Sequence, residues 1–194
     1  MGRGAAVRGA LVWQMNDYWP TSLWVIVDYH PRRKPAFYTV KRALQPLVAG
    51  VQREHHDWSV CHARPAKVSK YSVCVTSSLR RGSTLDVELR FVSIDSGEDI
   101  KPAITKAGLT MPDNGSVTAI TGQIDNRTNE AHVLAVSFSR DGAVISRDVD
   151  PPQPFKYLSF ENRGVQVQAD EGSYEVSIKR PMKGIVSKRL MALC

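Results

Sequence analysis

The sequence predicts a mainly β fold, in which a β-sandwich follows a short strand-and-helix unit, on three observations. Beyond Trp58 the apolar residues recur with period two, the spacing of half-buried strands. Strand-like runs bounded by turn residues then return at regular intervals with no long helix among them, which is the pattern of a sandwich. Ahead of Trp58 the spacing is helical over one segment only, behind a short apolar run.

Taken in order, Ala10 to Trp13 (ALVW) reads as a strand buried on both faces, ending in the polar QMND. Trp24 to Val27 is a second apolar run. Pro35 suits a first helical position, and Phe37, Val40, Leu44 and Leu47 follow at helical spacing as one buried face, with Lys41, Arg42 and Gln45 opposite. Pro46 disturbs the last turn. In LDVELRF, Leu85, Val87, Leu89 and Phe91 alternate with Asp86, Glu88 and Arg90, as in an antiparallel strand with one wet face. Further strands are expected at residues 71–76, 117–124, 131–138 and 143–149, the last two joined through Asp141-Gly142, a strong hairpin signal. Residues 165–169 and 174–178 form another hairpin across 170–173. The Pro-rich Asp148 to Phe155 reads as an edge or linker.

Composition excludes several function classes. The chain has 194 residues, 42% of them apolar, enough for a core and for one large or two small domains. No apolar run reaches the ~18 residues of a membrane span, and no secretory signal is evident. Cys61, Cys74 and Cys194 have neither metal-ligand spacing nor a disulfide framework and read as reduced thiols. Asn114-Gly115-Ser116 and Asn126-Arg127-Thr128 are sequons, acceptors only in a secreted chain. The net charge of +7 sits at the ends: residues 1–54 carry eight Lys/Arg against three Asp/Glu, residues 177–194 five against none, and the 122 between them thirteen against sixteen. A mildly acidic body tracks a phosphate backbone poorly, and Arg32, Arg33 and Lys34 read as a solvated loop, so no nucleic-acid or membrane partner is expected. His55-His56-Asp57 lacks ligand geometry for a metal, and no Gly-x-Ser-x-Gly elbow occurs. No cofactor is expected.

A lone strand and helix cannot bury both faces of that strand, so the front reads as a piece of something larger. Three of the four tryptophans, Trp13, Trp19 and Trp24, fall there beside Gln14, Asn16 and Asp17. The run from Gly9 to Asp17, with Trp19-Pro20, Trp24, Asp28-Tyr29, Lys34 to Tyr38 and Lys41-Arg42, resembles the end of the catalytic barrel in the β-mannosidases of glycoside hydrolase family 2. Val51 to Arg53, His55 to Val60, Ser146 to Asp150, Gln153-Pro154 and Lys156 to Leu158 resemble the linker and next domain of the fungal intracellular type. The resemblance covers roughly residues 9 to 186.

It implies three parts: residues 1–55 as the last strand and helix of a (β/α)8 barrel, 56–157 as an immunoglobulin-like sandwich, and 158–194 as the start of a further sandwich. Residues 1–8 and 187–194 depart from the family pattern, and truncation at both ends is expected. The implied activity is hydrolysis of terminal, non-reducing β-D-mannose from β-mannosides and manno-oligosaccharides, in the cytoplasm. The exo-β-glucosaminidase branch is the rival, but the Trp-Gln-x-Asn-Asp run at residues 13–17 fits mannosidases better. A non-catalytic sandwich binding carbohydrate or protein is a third reading.

Barrel enzymes place their chemistry where strands end, so Trp13 is the expected substrate contact, with Asp17 a second and Trp19 a rim residue. Retaining hydrolysis needs two carboxyl groups about 5–5.5 Å apart. The family takes its two glutamates from earlier strands, one after an asparagine and one after a serine; here Asn129-Glu130 lies downstream of the barrel piece and no Ser-Glu pair exists. No catalytic residue is therefore assigned, and this chain alone is expected to hydrolyse nothing. The exposed strand edges and uncovered helix face of residues 9–50 should drive association, including homo-oligomers.

Overall fold

A computed structural model describes residues 11–21, 23–56, 66–126, 130–152, 158–159, 163–170 and 173–182. Among the described residues two compact units emerge, one built from residues 46–181 and the other from residues 11–45.

The larger unit holds two antiparallel sheets and a hairpin. Its strands are β1 (Leu47–Arg53), β2 (Val68–Ser77), β3 (Ser83–Ser93), β4 (Ile104–Met111), β5 (Ser116–Asp125), β6 (His132–Arg140), β7 (Ala143–Asp150), β8 (Gln166–Asp170) and β9 (Ser173–Ser177). One sheet has the order β1-β2-β5, the other β4-β3-β6-β7, and β8-β9 stand apart as a ribbon. The inner faces meet in a core that includes Val73 and Val75 from β2, Leu85, Leu89 and Phe91 from β3, and Leu134 and Phe138 from β6. The alternation in β3 is thus the sandwich cross-section: apolar side chains inward, Asp86, Glu88 and Arg90 exposed. The Asp141-Gly142 hairpin forms as expected, with φ of 52° and 77°, the left-handed pair that matches strand twist.

Two strands go beyond the sequence reading. Leu47, expected to close a helical face, opens β1 instead, and the sandwich starts ahead of the expected boundary at residue 55. Pro46 is the reason, since a residue without an N–H stops a helical ladder. β4 lacks alternation because it is an edge strand with a register break opposite Leu85 and Val87, and Gly108 there takes a φ of 68°.

The seam between β1 and β7 is closed in an uncommon way. β1 pairs with β2 along one side. On its other side, the N–H groups of Ala49, Val51 and Arg53 donate to Ser146 Oγ (2.8 Å), Asp148 Oδ2 (2.9 Å) and Asp150 Oδ2 (2.8 Å). Alternate residues of β7 present the acceptors, so a row of side chains takes the place of a neighbouring strand. The Arg53 guanidinium adds bonds to Asp150 and to the His132 carbonyl at 2.8 Å. Burial pushes the Asp150 carboxyl above its ordinary range despite the arginine beside it.

The smaller unit contains helix α1 (Pro35–Ala43), with Pro35 at its start and Lys41 and Arg42 in its last turn. The expected buried face is corrected here. No residue of α1 is buried, and Leu44, just beyond it, is exposed. The strand expected at residues 10–13 is likewise not formed at 11–13, where Leu11, Val12 and Trp13 are all exposed. Both elements need covering neighbours that this unit does not provide among its described residues.

Candidate functional site

The Trp-rich segment is held by backbone bonds between two stretches of residues 11–34. Val27 N–H donates to Met15 O at 2.9 Å and Asp17 N–H to Val27 O at 3.3 Å, a parallel bridge. Lys34 N–H reaches Ile26 O at 3.0 Å. Val25 and Ile26 are thereby buried. A turn follows in which Asp28 accepts from the Arg32 backbone and guanidinium, both at 2.8 Å; the backbone donor chiefly lowers the Asp28 pKa.

Asp17 is at the centre of this small frame. Its side chain is fully covered, and Lys34 Nζ lies 3.2 Å from Oδ2 while also donating to Leu23 O at 3.0 Å. Asn16 donates to the Asp17 carbonyl. The pair ties the residue after the tryptophan cluster to the residue that caps α1. In this arrangement Asp17 braces the loop and presents no oxygen to solvent, unlike the substrate contact expected of it.

Trp13 is the opposite case, 79% exposed, with a cis bond to Gln14. Trp19 and Trp24 are also at the surface, and Tyr18 leans on Trp19 with ring centroids 4.7 Å apart. Flat apolar rings beside amide groups suit a ligand with apolar faces and polar edges. Acid–base chemistry is not evident: Asp17 and Asp28, the carboxylates of residues 11–45, are both engaged by cations. Among the described residues no cluster could hold a metal, while Asp57, Cys61 and His62 lie outside them. No helix of the described residues is long and apolar enough to cross a membrane.

Residues 69–157 match the family described as the mannosidase Ig/CBM-like domain. The chain is 48% identical over 185 residues to β-mannosidase B of Aspergillus niger, covering 92% of this chain and 22% of that protein. It is 49% identical over 183 residues to β-mannosidase B of Emericella nidulans, with the same coverage. Among solved structures it is similar to a β-D-mannosidase from Dictyoglomus thermophilum, at TM-score 0.65 and 22% identity over 89% of this chain and 20% of that one. An exo-β-D-glucosaminidase, CsxA, follows at TM-score 0.56 and 20% identity, over 89% and 18%. The chain spans about a fifth of the length of the curated relatives it matches.

Proposed function

We propose that the chain belongs with the β-mannosidases, its sandwich being their mannosidase Ig-like domain, and that it forms part of an enzyme releasing terminal β-D-mannose. Identity of 48% along 92% of the chain carries this reading. That the curated relatives it matches at 48–49% identity are named β-mannosidases favours mannose as the sugar.

Within that enzyme, residues 11–45 act as the last strand and helix of the barrel, with 11–13 joining the sheet once their neighbours are present. Trp13 covers the apolar face of the mannose, Trp19 stands at the rim, and Asp17 acts through Lys34 by fixing the loop that carries both rings. The β8–β9 ribbon begins the next sandwich. The two carboxyl groups that retaining hydrolysis requires are supplied from outside this chain, and the enzyme works in the cytoplasm. Two measurements test this. The purified chain should give no turnover of a chromogenic β-mannoside; turnover would mean that Asp17 or Asp28 performs chemistry. In the intact enzyme, Trp13→Ala should lower kcat/KM by at least about tenfold, on the order of one lost ring contact; an unchanged value would remove Trp13 from the subsite.

A further inference from the structure

A cavity of about 650 Å³ lies against the β1-β2-β5 sheet, lined by its outward residues and by parts of Arg53, His55, Tyr71 and Gly122, within the ~300–1,000 Å³ of small-molecule sites. Strand register sets its lining. Ser72 pairs with Gln52 on one side and Thr121 on the other. Lys70 pairs with Gln123, and its carbonyl accepts the Glu54 N–H at 2.7 Å. Tyr71 and Val73 point into the core, so these alternate residues point out. The result is two parallel rows of three, Gln52-Ser72-Thr121 and Glu54-Lys70-Gln123, about 6.6 Å apart along the strands, with row neighbours about 4.8 Å apart. Ser72 is short and buried, a floor between longer walls.

We propose that this trough is a second, non-catalytic binding site for a neutral oligosaccharide of linked mannose units. All six outward side chains carry polar groups, most of them on aliphatic stems, so the trough offers both hydrogen bonds and apolar surface. Lys70 stands beside Glu54, and of the other basic groups lining the cavity the Arg53 guanidinium is already paired with Asp150, so little net charge is left with which to select an anion or a metal. Amide and hydroxyl groups that both donate and accept match vicinal hydroxyls, and the row spacing lets each row address one edge of a sugar ring. With no exposed aromatic ring in either row, binding rests on hydrogen bonds and falls in the millimolar range. The choice of mannose rests on the β-mannosidase reading; the trough itself does not.

The test is titration of the full chain, uniformly 15N-labelled, with β-1,4-mannotriose, read as amide shift changes. Shifts at residues 52–54, 70–72 and 121–123, with affinity about fivefold weaker in Lys70→Ala or Gln123→Ala and unaltered in Trp13→Ala, are the expected result. Shifts confined to the surroundings of Trp13 would overturn the trough and leave the mannosidase reading standing. The absence of any shift through the millimolar range would overturn the trough as well, while turnover by the intact enzyme decides the mannosidase reading separately. The wild-type titration reports the site without recourse to a variant's folding.

Discussion

Lowering the pH should destabilise the sandwich through His132. Its ring is 4% exposed. Nδ1 lies 2.7 Å from the Glu130 carbonyl, which can only accept, so Nδ1 carries the proton and Nε2 is the bare nitrogen. Nε2 is buried with no partner among the described residues, so a second proton would place a cationic N–H near Phe91, Arg53 and Lys101 with nothing there to accept it. Burial foremost holds the His132 pKa down to about 4. Against an unfolded value of about 6.5, the unfolded chain takes up the proton first as pH falls. The contribution is whole above about pH 6.5, is lost progressively toward pH 4, and amounts to about 3 kcal/mol. Asp150 works in the opposite sense, because its raised carboxyl pKa makes protonation favour the folded state. Comparing wild type with His132→Asn, which can keep the bond to Glu130, isolates the histidine. Urea unfolding from pH 4 to 8 should give curves that converge toward pH 4 and separate above pH 6.5, after allowance for a constant offset. Parallel curves would refute the assignment of a neutral, buried imidazole.

Other perturbations address the seam and the turns. Asp150→Ala should cost more than Asp148→Ala, about 3 kcal/mol against 1–2, because it also leaves the half-buried Arg53 guanidinium without its counterion; equal unfolding midpoints would contradict this. Ser146→Ala should speed hydrogen exchange of the Ala49 amide, whose acceptor it removes. Gly122→Ala would drive a Cβ into the Tyr71 hydroxyl and ring, an overpacking worth about 1–3 kcal/mol by calorimetry, relieved in part by Tyr71→Val. Gly142→Ala, at a φ of 77°, should lose about 1 kcal/mol.

The sandwich was legible where one physical rule acted alone. β3 shows its buried face because each second residue meets only the core, and the β6–β7 turn shows itself because Asp-Gly satisfies a backbone demand. β1 was hidden because Leu44 and Leu47 continue a helical spacing across Pro46, so the apolar pattern of one element ran into the next. β4 was hidden because an edge strand with a bulge has few inward positions to mark it; of its residues only Leu109 and Met111 are buried. At the candidate site, the tryptophans were visible by composition. The burial of Asp17 was not, since it depends on Lys34, 17 residues away, and a lysine in a basic run looks like solvated surface. The outer trough was not visible either, because Gln52, Ser72 and Thr121 become neighbours only through register.

The bonds that tie β1 to β7 each join residues 97 positions apart. A chain emerging from a ribosome delivers Ala49, Val51 and Arg53 long before Ser146, Asp148 and Asp150 exist to receive them, and closing so long a loop is among the slower events of folding. Through most of synthesis one side of β1 therefore stays hydrated, and completion of the sandwich waits on the arrival of its seventh strand.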